Sequence, residues 1–287
     1  MSAMSVYSIG GVNMAVVGGE TRGRVAAMRC FSPFLKADKT SGEVTVRTDV
    51  VLALPEYRCL HRFDIMEGAS ECCFGIDAEG VYWFSFGSVL RLRYDMRCPH
   101  EVAIGSVADP NLLRFVMWVA YSLSALPLGA VPIHASVVVC EGRAVLCLGE
   151  SGTGKSTHTR LWCQEFEGCY VLNDDSPVAR VEGDRVMAYG SPWSGKNPIY
   201  NPACAPVAGL LRIEQRLENT IERLGTLEAF VALQPSCPPA LAHDEHTMDF
   251  IVGFVGDVIS RVPVYRLGCR PDAESACLSH QTLFPCN

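Results

Sequence analysis

The chain has 287 residues, 49% of them hydrophobic and 19% charged, with a net charge of −7. That apolar share fills the core of one large domain or two smaller ones and excludes a disordered chain. The acidic balance excludes a broad basic surface, so neither nucleic acid nor an anionic membrane is expected as a partner.

Fourteen cysteines are scattered irregularly, many inside apolar runs such as "VVVC" and "VLCLG", and none forms a C-x-x-C pair. They read as reduced core residues, and a zinc ribbon is not supported. The opening "MSAMSVYSIGGVNMAVVGGE" lacks the basic start and long apolar run of a signal peptide. Together these point to a cytoplasmic location.

Over the first hundred residues "GEVTVRTDVVLAL", "GVYWFSFG" and "SVLRLRYDM" have strand composition, divided by Gly, Asp and Ser turns. Residues 1–107 are therefore expected to form a small β-rich lobe. In it Tyr82, Trp83, Phe84, Arg91 and Arg93 read as sheet packing and not as a ligand platform. The uncharged run from Phe115 to Ile133 is about long enough to cross a bilayer. However, Pro127, Gly129 and Pro132 break it, and Asp109-Pro110 has the form of an N-cap and first helical residue. A helix over 110–126, buried beneath the sheet that carries the catalytic residues, is expected.

From residue 108 to 287 strands and helices alternate, as in an α/β domain. "HASVVVC" and "RAVLCLG" flank Glu141-Gly142 and read as a hairpin. A helix from Ser156 to about Phe166 ends at Gly168, "CYVLNDD" is the next strand, and "PVARVEGDRVMAYG" is a hairpin about Gly183. "VAGLLRIEQ" is a further strand. Helices near 226–233 and 243–259, the strand "VPVYRLG" and a terminal helix from Pro271-Asp272 complete the chain.

Between the first hairpin and its helix, Gly149, Glu150, Ser151, Gly152, Thr153, Gly154, Lys155, Ser156 and Thr157 fit G-x-x-x-x-G-K-[ST] and the residue after it. The preceding apolar strand and the following helix are the context this motif needs. Glycines let the backbone N–H groups turn toward phosphate oxygens, and the helix N-terminus adds partial positive charge. Lys155 would reach the β- and γ-phosphates of ATP, and Ser156 would ligate Mg²⁺. Asn173-Asp174-Asp175 ends a strand only nineteen residues after Lys155. Two adjacent carboxylates there allow one to hold the metal and the other to take a proton from an attacking hydroxyl.

"IHASVVV", "GESGTGKST" and "VLNDD" resemble the P-loop kinases grouped with HPr kinase/phosphorylase and related to ATP-dependent phosphoenolpyruvate carboxykinase. The resemblance spans about residues 108–287, with its specific part at 133–176. It implies an α/β kinase core with a mixed sheet, using ATP and Mg²⁺ to phosphorylate a hydroxyl, serine foremost, on a protein, peptide or small molecule. It assigns Asp175 as the proton acceptor and Asp174, with Ser156, to the metal. His134 would have a catalytic role at the γ-phosphate or in orienting the carboxylate, alongside Lys155. Relatives assemble, which leaves a homo-oligomer open.

The chain departs from the family in "GSPWSGKNPIYNP", where the relatives carry a magnesium-binding glutamate and this sequence has none from Ser191 to Pro202. Trp193 and Lys196 in that loop are candidates for a substrate or phosphate clamp. By the same resemblance Arg266 or Arg270 would neutralise the transferring phosphate. Two other readings stay open: a nucleotide-binding regulator that has lost transfer, and, less favoured, a carboxykinase. His243 and His246 with Asp244 and Asp249 read as a capped first turn more than as a metal site. His158 and Arg160 are expected to face solvent or the nucleotide edge.

Overall fold

A computed structural model describes residues 3–37, 42–53, 55–64, 71–87 and 89–285. The protein is mixed α/β, with two mixed sheets in two compact units: residues 1–130 with 240–248, and residues 131–239 with 249–287.

In the first unit the elements are β1 (Met4–Ile9), β2 (Val12–Val17), α1 (Glu20–Ala27), β3 (Val44–Arg47), β4 (Tyr57–Phe63), β5 (Cys72–Asp77), β6 (Val81–Phe86), β7 (Val89–Asp95), β8 (Glu101–Ile104) and α2 (Pro110–Ala125). The eight strands run in the order β1-β2-β3-β8-β7-β6-β5-β4. The β2–β3 and β3–β8 pairs are parallel and the rest antiparallel. As expected for packing residues, Tyr82, Trp83 and Phe84 are buried. The Arg91 guanidinium donates to the Ser106 carbonyl, and that of Arg93 lies over the Trp83 ring.

Asp109 caps α2 by accepting from the Leu112 N–H at 2.7 Å, with Pro110 at the first helical position. The helix belongs to the first unit, not to the unit that carries the glycine loop. It packs on β3, β7 and β8, and the Tyr121 hydroxyl donates to the Ile9 carbonyl at 3.0 Å. The first compact unit runs on to residue 130. Residues Pro110–Leu128 are long and apolar enough to cross a membrane by length and composition, and 67% of the most apolar window is buried in the protein.

From residue 130 onward the elements are β9 (Ala130–Pro132), β10 (Ala135–Cys140), β11 (Arg143–Leu148), α3 (Lys155–Glu165), β12 (Tyr170–Asp175), β13 (Val178–Glu182), β14 (Arg185–Tyr189), β15 (Cys204–Gln215), β16 (Thr220–Arg223), α4 (Thr226–Leu233), α5 (Glu245–Arg261), β17 (Val264–Cys269) and α6 (Ala273–Leu283). The sheet runs β12-β10-β11-β15-β14-β13-β9, with β17 beside β15 and β16 beside β17. The β10–β11 hairpin turns at Glu141 and Gly142, both at positive φ (50° and 73°), as a two-residue turn matched to strand twist requires. Strand β15 lies parallel to β11 and to β17. Val138, Val145, Trp162, Leu211, Ile213 and Leu267 form the core of this sheet and its helices.

Two cysteine pairs correct the expectation of a wholly reduced set. Cys140 and Cys169 are disulfide-bonded with Cα atoms 4.4 Å apart, and Cys59 and Cys73 with Cα atoms 6.1 Å apart. Each pair joins neighbouring antiparallel strands, β10 to the entry of β12 and β4 to β5, and both separations suit a disulfide. Such cross-strand proximity has no signature in spacing along the chain. At the start of α5, Asp244 accepts from the N–H groups of His246 and Thr247 and His243 stacks on His61, which is the capped turn expected there.

His158 also departs from expectation. It is 2% exposed, its Nε2 accepting from Trp162 Nε1 at 3.2 Å and lying 3.0 Å from Ser279 Oγ of α6. Arg160, by contrast, is exposed. Burial pushes the His158 imidazole down to about 4 from its ordinary 6.5, so the folded protein holds it neutral. As pH falls through 6.5 the unfolded chain takes up a proton that the folded chain refuses until about 4. The contribution is thus complete above pH 6.5 and lost on the way down to about 4, roughly 3 kcal/mol in all. Urea unfolding of wild type and His158→Gln across this range should show a steeper acid loss in wild type; parallel curves would contradict the assignment.

Candidate functional site

Three strand ends meet at one edge of the second sheet. Ala135 of β10 pairs with Leu148 on one side and Asp175 on the other. His134, the glycine loop from Gly149 and the Asp174-Asp175 pair are therefore brought together by antiparallel register alone.

The loop from Gly149 to Gly154 joins β11 to α3, with Gly149, Gly152 and Gly154 at φ 151°, 83° and 105°. A Cβ at Gly149 would lie 2.4 Å from Thr153 Oγ1, so only glycine fits there. Thr153 Oγ1 in turn donates to the Glu150 carbonyl at 2.9 Å. Glu150 and Ser151 are exposed, while Thr157 lies one turn into α3. The first N–H groups of α3 have no partner within the helix.

Lys155 is 8% exposed and donates from Nζ to the carbonyls of Gly149 at 2.7 Å and Glu150 at 3.0 Å. Its pKa is lowered, first by burial and further by the Arg212 charge, with Asp175 and Asp174 opposing. Ser156 Oγ donates to Asp174 Oδ1 at 2.6 Å. Asn197 Nδ2 donates to Asp174 Oδ2 at 3.0 Å. Both oxygens of this buried carboxylate are thereby engaged.

His134 Nε2 lies 3.6 Å from Asp175 Oδ1, with the two side chains 44% and 50% exposed. Burial, then Lys155, depress the imidazole pKa below 6.5, Asp175 opposing and Arg212 adding to the depression. His134 is therefore neutral at pH 7, and at this distance the contact is neither an ion pair nor a hydrogen bond. Its backbone is fixed by donation from the His134 N–H to the Ser236 carbonyl at 2.7 Å.

The loop of residues 190–203 is strapped to the end of β12. Buried Asn173 donates to the carbonyls of Ser191 at 3.3 Å and Trp193 at 3.2 Å, and its Oδ1 accepts from the Ser176 N–H. Gly195 N–H and Ser194 Oγ both donate to the Asp174 carbonyl, at 2.7 and 3.0 Å. Trp193 is 5% exposed, packed inward and not presented as a clamp, whereas Lys196 is exposed two residues from Ser194.

The two later arginines are paired with carboxylates. The Arg266 guanidinium is tied to Glu214, Glu222 and Glu228. Arg270 is tied to Asp272 and Glu274, on the rim of a cavity of about 630 Å³ lined by Gly152, Thr157, Leu161, Ile213, Leu217 and Pro271 among others. Sequence reading missed Asn173 and Asn197, although both sit inside motifs it quoted. It also missed Arg212, which precedes Ile213 in an otherwise ordinary strand.

No protein-family profile and no curated protein matches the chain. Among solved structures, the HPr(Ser) kinase/phosphatase from Coxiella burnetii overlays with a TM-score of 0.31 at 14% identity, covering 53% of this chain and 92% of that one.

Asp175 carries a strained backbone, with φ 119° in a region that non-glycine residues avoid. Asp175→Gly should therefore be more stable than Asp175→Ala by about 1 kcal/mol, the reverse of the usual order in a strand. Urea unfolding of the two variants decides it; a more stable alanine variant would show that the backbone is relaxed.

Proposed function

We propose that the chain is an ATP-dependent kinase of the HPr kinase-like type, passing the γ-phosphoryl group of ATP to a hydroxyl, serine foremost, on a protein, peptide or small molecule. One observation supports this reading above the others: a glycine loop with its lysine, a hydroxyl–carboxylate pair 2.6 Å apart and a second carboxylate facing a neutral imidazole at 3.6 Å share one sheet edge.

The donors present suit Mg²⁺, since Ser156 Oγ and Asp174 Oδ1 are hard oxygen ligands already within 2.6 Å of each other. When bound, the ion supplies charge neutralisation on the phosphates. The chain's own residues do the rest. Lys155 exchanges its loop carbonyls for phosphate oxygens, and the N–H groups of the glycine loop and of the first turn of α3 hold the phosphates in place. The apolar side of the cavity, Leu161, Ile213 and Pro271, offers the base a surface. Asp175 accepts the proton of the attacking hydroxyl, and His134 beside it is neutral and so adds no positive charge at neutral pH.

A nucleotide-binding regulator without transfer activity is the second reading. It is favoured by the amide of Asn197 on Asp174, in a loop that contains no glutamate from Ser191 to Pro202.

The two readings part on paired asparagine variants. Asp174→Asn should weaken magnesium-dependent ATP binding, as should Lys155→Ala. Asp175→Asn should bind MgATP nearly as wild type does yet lose turnover by roughly 10²–10⁴-fold, the usual worth of a general base. Calorimetry and ATP hydrolysis with water as acceptor measure both. Wild-type turnover in Asp175→Asn would remove the base assignment and favour the regulator.

A further inference from the structure

Arg212 lies on β15 in register with Leu148, the residue before the glycine loop. Its side chain is half-buried, and among the described residues it has no hydrogen-bond or ion-pair partner. The neighbouring arginines all have carboxylates: Arg216 on Glu214, Arg266 on Glu214, Glu222 and Glu228, and Arg270 on Asp272 and Glu274. The charges that Arg212 meets include those of Lys155 and His134, whose pKa values it helps to lower. A half-buried guanidinium whose donors meet no acceptor in the protein is free to take an anionic ligand at the loop. Of the two carboxylates nearby, Asp174 is engaged by Ser156 and Asn197, and the charge of Asp175 acts on Lys155 and His134.

We propose that Arg212 is a catalytic residue whose guanidinium contacts the non-bridging oxygens of the phosphoryl group in transfer. This rests on the kinase reading above. In the step it assists, the acceptor oxygen forms a bond to the γ-phosphorus and gives its proton to Asp175. The bond from that phosphorus to the β–γ bridging oxygen breaks, and its electron pair leaves with ADP. Charge moves onto the equatorial and leaving oxygens as this happens, and a planar fork of donors beside Lys155 meets it better than a second ammonium would. The site for the transferring group is then bounded by Lys155, Arg212 and His134, and the phosphate-neutralising arginine is Arg212 in place of Arg266 or Arg270.

The test uses the full chain with Mg²⁺ and ADP, with and without aluminium fluoride, a mimic of the phosphoryl group in flight. Wild type should bind ADP, and more tightly once aluminium fluoride is added. Arg212→Gln should keep ADP affinity within about twofold but lose about 10²-fold of the affinity for the fluoride complex, the loss typical of one oriented donor. Arg212→Lys should fall between the two. Because Arg212 makes no hydrogen bond and repels Lys155, neither variant should unfold at a lower temperature than wild type. Fluoride complexes as tight in Arg212→Gln as in wild type would overturn the role of Arg212 and leave the kinase reading standing. A wild-type protein that does not bind ADP, or gains nothing from aluminium fluoride, would overturn both.

Discussion

A single strand paired on both sides, β10, fixes the candidate site: Ala135 is held between Leu148 and Asp175. Because side chains alternate along a strand, a slip of one residue in either pairing would send His134 or the carboxylates to the other face. The glycine loop would then sit beside no acid. The buried hydroxyl pair of Ser136 and Thr159, 2.9 Å apart, ties β10 to α3 and so carries the same register to the helix that begins with Lys155. From this one constraint follow the closeness of Ser156 to Asp174 and of His134 to Asp175.

The electrostatics follow from the same crowding. Lys155 is desolvated, the Arg212 side chain has no ion-pair partner among the described residues, and His134 is held neutral beside them. Such an arrangement stores unfavourable energy in the folded protein, in the same place where Asp175 stores backbone strain. Cost concentrated at one edge of an otherwise well-packed sheet is the pattern expected of a site kept for binding and chemistry. The core around Trp162 and Ile213 and the cap of α2 by Asp109 supply compensating stability away from it.

Much of the second unit was legible because its signals are local. Glu141-Gly142 dictates a tight hairpin, the glycine spacing dictates a loop, and the Asp272 cap marks a helix start, as the Asp109-Pro110 cap does in the first unit. What sequence could not supply were relations across strands. The pairs Cys59–Cys73 and Cys140–Cys169, the burial of His158 against Ser279 and the seat of α2 on the first sheet all depend on which strands and helices are neighbours. In the first unit β1, β2, α1, β4, β5 and β8 passed unread, although Gly10-Gly11, both at positive φ, mark the turn between β1 and β2. Around the site, the acids and the loop were visible as motifs. Asn197 and Arg212 were not, since an amide in a proline-rich loop and a cation in a strand acquire meaning only through what lies beside them.

The most direct measurement is a crystal structure of the protein with Mg²⁺ and a non-hydrolysable ATP analogue. The account predicts the triphosphate along the loop from Gly149 to Ser156, with Lys155 Nζ moved from the Gly149 carbonyl onto a phosphate oxygen. It places the ion on Ser156 and Asp174, and the γ-phosphate between Lys155 and the His134–Asp175 pair. Analogue bound elsewhere, or Lys155 still on the loop carbonyls with the triphosphate directed away from Asp175, would contradict it.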